Sequence, residues 1–515
     1  MYYLCIKFSF DMKRFILLLL PFFLVSCKSN DDTKQDLVEK TNIMLDAVLE
    51  DSFKGIVNVS KDSKTYSHLL TLAEESVSQS TGKSKFGLPL LYTEENFPSV
   101  YNYHTDKQVD KTAICKTMIG WLCAMQLSEL CPSKRNALYK AGYEAGGFNM
   151  NSPIYGYHFN SDPNVARLVA SAVYAVLHSY NKPDIEAMRT EVGGSKYNRT
   201  LAEIYDEESR THVTDEAFYV DLRRFMASAP GPYAPQYTNR SGINPTFSDE
   251  KASNGCLRVD MEIYDRIVEK YNLPDQRAVQ AIADEDADIH HIFGADKRNV
   301  DGKYNFNAVF GETTIGKTIN PEGKTAALIL LVQKAGSSAR GILQHANLSL
   351  GNYEYGRLRP GCSEQQEGLR KSFTDDRLNV LSCSVIEDND GHKATYDEGD
   401  LEKYYYDEEG NWTKEEVQSA EQYEEIAKNL LYANSYPSGH SSGIWSAAMS
   451  MMELYPQKAN LIMKAANNFA LSRTISRYHW NSDVIQGKII GSIMNPVCHA
   501  TSDYARLLQE AQTEF

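Results

Sequence analysis

Ten residues of this chain recur, in order and in register, 324 positions downstream. Trp121, Ala124, Met125, Glu129, Leu130, Pro132, Lys134, Asn136, Lys140 and Ala141 return as Trp445, Ala448, Met449, Glu453, Leu454, Pro456, Lys458, Asn460, Lys464 and Ala465. After a three-residue slip, Ile154, Tyr157, His158, Asn160, Ser161 and Asp162 return as Ile475, Tyr478, His479, Asn481, Ser482 and Asp483, and Ser171 and His178 return as Ser492 and His499. Self-similarity this long at a fixed offset is the mark of a duplicated unit, so whatever one copy folds into the other must fold into as well. From about Ser67 to His178 the apolar residues recur at helical spacing with few strand signals. The expectation is an all-α chain of two tandem homologous helical domains.

The repeat also sets the boundaries. Residues 28–190 hold the first copy and residues 256–515 the second. Between them, 191–255 are rich in Gly, Pro, Ser and Asn, as in Ala229-Pro230-Gly231-Pro232, and read as a linker with a helix near 215–227. Further helices are expected at 258–271 and 274–285, and Val484 to Ala500 reads as a buried core helix. Residues 361–434 form a long acidic insert that includes Asp397-Glu398-Gly399-Asp400. Such a charge run reads as a solvated face, or as a lid, since long inserted loops are often functional.

One tract of the second copy carries groups suited to phosphate. Tyr436-Pro437-Ser438-Gly439-His440 is a small-residue turn ending in His, and Ser472-Arg473 is followed by His479 and Asp483. Ser438 supplies a hydroxyl, Gly439 allows close backbone approach to an anion, and the Arg473 guanidinium is a rigid fork that matches phosphate oxygens. His479 and Asp483 stand four apart, so within one helical turn the carboxylate can hold one ring nitrogen and leave the other free to attack. His440 remains for the leaving-group proton. Upstream, Arg359-Pro360 offers a second guanidinium.

These three pieces in this order resemble the signature of the type 2 phosphatidic acid phosphatase superfamily. The tract from Ser435 to Asp483 is most similar to the soluble bacterial class A non-specific acid phosphatases. The resemblance implies that His479 attacks phosphorus to form a phosphohistidine and that Asp483 orients it. It further implies that Arg359, Arg473, Ser438 and Gly439 hold the equatorial oxygens, and that His440 protonates the leaving alcohol and later activates water. Such a site acts on a small phosphorylated substrate and needs no metal or cofactor, because arginines and backbone amides supply the charge stabilisation. The family pattern has Lys seven residues before the Arg of Arg-Pro; here that position is Asn352. Two alternatives stand beside phosphatase activity: a non-catalytic phosphate-binding scaffold, and a vanadate-dependent haloperoxidase, which uses the same pocket.

The first copy does not share the cradle. It has Ile114, Cys115 and Lys116 where the second has Ser438, Gly439 and His440, and Ser152 where the second has Arg473. His158 and Asp162 survive there, with helix-start packing as their expected role, since a nucleophile without an anion site has nothing to act on.

The remaining features bound partners and location. A net charge of −15 argues against nucleic acid or an anionic membrane surface as partner. Lys13 and Arg14 precede the apolar run Phe15 to Val25, and Leu24-Val25-Ser26-Cys27 resembles a lipoprotein cleavage site. Residues 1–27 are therefore expected to be a lipoprotein signal, with Cys27 lipidated and the protein anchored at the outer membrane, facing the periplasm or the cell surface. Cys362 and Cys383 flank one loop, whereas Cys115, Cys123 and Cys131 lack metal-like spacing and are expected in the core.

Overall fold

The computed structural model describes residues 34–98, 110–147, 162–197, 199–204, 308–349, 437–476 and 478–514, the strands between 386 and 416, and scattered positions from 266 to 293. The leader with Cys27, together with His158, Asn352, Arg359, Cys362 and Cys383, lies outside these residues, as does the helix expected near 215–227.

The first half is built from α1 (Thr41–Val48), α2 (Lys64–Ser80), α3 (Lys111–Leu130), α4 (Arg135–Glu144), α5 (Pro163–Asn181) and α6 (Ile185–Glu191). The second half contains α7 (Lys324–Ser349), α8 (Gly439–Leu454), α9 (Ala459–Ile475), α10 (Asn481–Ala500) and α11 (Tyr504–Gln512). Local chemistry marks the starts. Ser63 caps α2 by accepting from the Tyr66 amide, and Asp162 caps α5 by accepting from the Asn164 amide with Pro163 at the first helical position. Asp162 thus has the helix-start placement expected of it.

Equivalent elements carry equivalent bonds. The indole of Trp121 donates to Ser171 at 2.8 Å, and that of Trp445 to Ser492 at 2.7 Å, tying α3 to α5 and α8 to α10. Short 3₁₀ turns at Pro132–Lys134 and Pro456–Lys458 follow α3 and α8. The correspondence also reaches helices where the sequence match is silent. The Glu191 carboxylate accepts from the backbone amides of Lys64 and Thr65 at the start of α2, and Glu514 accepts from those of Lys324 and Thr325 at the start of α7.

The halves do not keep separate cores. α5 packs against α8, and α10 packs against both α3 and α5. Trp121, Trp445, Leu69, Ile329, Val173 and Ile490 belong to one hydrophobic cluster. Cys115, Cys123, Cys131 and Cys498 are buried free thiols within it, as the sequence reading expects of the first three. Close approach around α8 depends on glycine. A Cβ on Gly487 of α10 would stand 2.5 Å from the Ser438 carbonyl oxygen, and one on Gly491 would stand 2.6 Å from that of Ser442.

Both halves are helical, as expected. The insert differs: β1 (Ile386–Glu387), β2 (Lys393–Asp397), β3 (Asp400–Tyr406) and β4 (Trp412–Glu416) form an antiparallel sheet in sequence order. Tyr, Thr and Trp favour a pleated backbone, and Asp397 pairs with Asp400 across Glu398-Gly399, a loop of hairpin length. Among the described residues, no helix is long and apolar enough to cross a membrane.

Candidate active site

Ser438 has an extended backbone and caps α8, its hydroxyl facing the Ser441 amide at 3.4 Å and accepting from the Ser441 hydroxyl at 3.0 Å. Gly439 and His440 then form the first turn, so the partial positive charge of a helix N-terminus lies beside the Ser438 hydroxyl. Packing fixes this turn from two sides. The Ser438 amide donates to the Asp483 carbonyl at 3.1 Å, and the Ser337 hydroxyl of α7 donates to the Gly439 carbonyl at 3.3 Å.

The other groups arrive from the junction of α9 and α10. Arg473 lies in the last turn of α9 and is almost fully buried, its guanidinium over the Tyr478 ring at 4.4 Å from the centroid. Its carbonyl accepts from the amides of Tyr478 at 2.9 Å and His479 at 3.1 Å, which folds the junction back onto the helix. His479 Nδ1 stands 3.6 Å from Asp483 Oδ2, and that same oxygen accepts from the Trp480 amide at 2.9 Å. Both side chains are buried, so the carboxylate sets the ring direction in a low-dielectric setting. His440 is partly exposed, its ring 6.2 Å from that of Phe469, one helical turn before Arg473.

The structure therefore brings Ser438, Gly439, His440, Arg473, His479 and Asp483 to the meeting point of α8, α9 and α10. Arg359 and Asn352 lie outside the described residues. The arrangement combines an anion-binding helix start, a buried guanidinium and a carboxylate-oriented imidazole, the parts needed to hold a phosphoryl group and attack it.

A supporting network escapes the sequence reading. Buried Asp284 pairs with His291 Nε2 at 3.0 Å and accepts from the Ser472 hydroxyl, while Arg277 donates to that hydroxyl at 2.9 Å and to the Asn468 carbonyl at 2.6 Å. Burial alone would raise the Asp284 carboxyl, but His291 and Arg277 outweigh it and hold it below the usual carboxylate range. The network clamps the residue before Arg473. Its one sequence signal, the acidic run Asp284 to Asp288 before His290-His291, lies far from Ser472 along the chain.

The first half shows why its own copy lacks a cradle. α3 starts at Lys111 with Asp110 as its cap, whereas the position equivalent to the start of α8 is Cys115. The helix thus runs straight through Ile114, Cys115 and Lys116, and the Ile114 amide donates to the Asp110 carbonyl. Amides that would be open to an anion in the second half are consumed inside a helix in the first. Arg167, equivalent to Lys488, lies 3.8 Å from the Tyr143 ring centroid and donates to the Tyr143 carbonyl, as Lys488 donates to Asn467 at the equivalent place.

The C-terminal part of the chain is similar to known proteins. The family model of the PAP2 superfamily matches residues 351–506. Non-specific acid phosphatase from Providencia stuartii is 34% identical over 92 residues, 18% of this chain and 36% of that protein. Acid phosphatase from Zymomonas mobilis is 35% identical over 92 residues, 18% of this chain and 35% of the relative. Non-specific acid phosphatase from Salmonella typhimurium is 36% identical over 67 residues, 13% of this chain and 27% of the relative. The chain spans about a third of the length of these curated relatives. Residues 351–506 thus match the PAP2 superfamily, and the C-terminal part is similar to bacterial acid phosphatases.

Proposed function

We propose that this PAP2 domain hydrolyses phosphomonoesters through a phosphohistidine, with His479 as nucleophile. The observation that carries the reading is the oriented His479–Asp483 pair beside a capped helix start and a buried arginine. In-line attack by the His479 ring nitrogen that does not face Asp483 breaks the bond between phosphorus and the ester oxygen. Asp483 stabilises the imidazolium character that develops, and Arg473 with the Ser438 hydroxyl and the amides of the α8 start takes the charge on the equatorial oxygens. His440 gives its proton to the departing alkoxide, then removes one from the water that releases phosphate. Arg359 is assigned to the equatorial oxygens as well, and Asn352 stands where the family carries a cation.

The site's own donors supply the charge stabilisation, so the chemistry is written without a metal at the phosphate. The names of the relatives support a phosphatase rather than a haloperoxidase or a scaffold. We further propose that the chain is held at the cell envelope through a lipid on Cys27 and that the first half serves a structural role.

The test is hydrolysis of p-nitrophenyl phosphate in the presence of a chelator, with and without vanadate. Turnover that survives chelator and is blocked by vanadate is the expected outcome. Vanadate-dependent halide oxidation, or no turnover together with retained phosphate binding, would replace the proposal with one of the two alternatives.

A further inference from the structure

His178 and His499, two residues of the internal match that the proposed chemistry does not use, meet between the halves. Their rings stack with centroids 3.9 Å apart at 28°. Each points Nε2 at the glutamate of its own half: His178 lies 3.3 Å from both oxygens of Glu129, and His499 lies 3.0 Å from both oxygens of Glu453. The glutamate side chains are at most 1% exposed, while the histidines keep 12% and 6%, so the cluster is buried but reachable.

We propose that Glu129, His178 and His499 bind one divalent transition-metal ion, with zinc as the closest match and Glu453 beside His499, and that this ion pins the two halves together. Two imidazoles and one carboxylate form a borderline donor set that suits zinc, with a fourth position left for water. The ligating atoms of Glu129, His178 and His499 all lie within 4.8 Å of one another. The 3.3 Å separations of His178 Nε2 from the Glu129 oxygens are close to the edge of a tetrahedron whose metal–ligand bonds are about 2.0–2.2 Å.

Charge points the same way. The two buried carboxylates bring two negative charges to the site. A divalent ion balances the carboxylates and uses the neutral rings as ligands. The carboxylates are also held by further donors, as ligands usually are. The Tyr174 hydroxyl donates to Glu129 at 2.6 Å and Gln126 to the same oxygen at 3.1 Å, while Asn495 donates to Glu453.

The site is remote in role from the phosphate chemistry, and its test does not depend on turnover. The full chain, purified without chelator, is assayed for metal content by mass spectrometry, then stripped and titrated with Zn²⁺ and with Co²⁺. The expected results are about one equivalent bound per chain, a melting temperature that rises with added Zn²⁺, and a visible Co²⁺ band of tetrahedral type. Glu129→Gln and the pair His178→Ala and His499→Ala should weaken uptake by about tenfold or more. Stripped wild-type protein that takes up neither ion and melts unchanged in Zn²⁺ overturns the proposal without recourse to a variant. Undiminished uptake in the folded variants overturns it too, because the ion would then sit elsewhere.

Discussion

Asp483 serves two neighbours at once, since the oxygen that faces His479 Nδ1 also accepts the Trp480 amide. Replacing it with Asn keeps the volume, removes the charge and allows the wrong ring tautomer, an exchange that costs up to about 10⁴ in rate where an Asp orients a catalytic His. Asp483→Asn is therefore expected to lower kcat by about 10²–10⁴ while KM changes little, as steady-state kinetics on p-nitrophenyl phosphate would report. His440→Ala should lose roughly 10²–10⁴ on alkyl phosphates and far less on p-nitrophenyl phosphate, because a good leaving group needs little protonation. An equal loss on both substrates would remove His440 from the role of general acid. At Asn352, Asn352→Lys is expected to raise kcat/KM and vanadate affinity together, since an amide keeps a donor but supplies no charge.

Helix packing around the cradle makes its own predictions. A Cβ at Gly487 meets the Ser438 backbone, which cannot swing aside as a side chain can. Gly487→Ala should cost about 1–3 kcal/mol of stability and reduce kcat by displacing the α8 start, with melting and kinetics measured on the same protein. Lys488, one residue further along α10, is buried, and burial pushes its amine down to about 8. Its folded value lies below its unfolded one, so the unfolded chain binds more protons between about pH 8 and 10, and native stability attributable to this group rises across that window. Lys488→Met should thus be more stable than wild type at pH 7, by up to about 3 kcal/mol, with the gap narrowing toward pH 10 in denaturant titrations. The sequence made α3, α5, α8 and α10 legible because the repeat and the helical spacing agree there. It did not reveal α2 and α7 as equivalents, since their likeness rests on a glutamate reaching back to a helix start from far along the chain. The Asp284–Ser472 bond and the strands of the insert escaped for the same reason: tertiary contact and cross-strand pairing leave no periodic trace in a charged stretch.

For the whole molecule, the consequence is asymmetry built on shared architecture. Both halves carry a buried tryptophan-to-serine bond and a paired glutamate and histidine, and both feed one core. Among the described residues, the second half starts a helix at Gly439 beside a buried arginine and a paired imidazole, whereas the first half runs a helix through the matching positions. The sequence suggested this division, because Ile114, Cys115 and Lys116 stand where the second half has the Ser438-Gly439-His440 turn. It did not reveal that the halves share a core, because a contact between α3 and α10 depends on shape rather than spacing. The proposed mechanism requires a covalent phosphate on His479 and nowhere else in the chain. Rapid quenching with a radiolabelled phosphomonoester, followed by tests for acid-labile and base-stable phosphate, measures this directly. The prediction is up to one phosphate per chain, retained in His158→Ala and lost in His479→Ala. Label that persists in His479→Ala, or a stoichiometry approaching two, would contradict it.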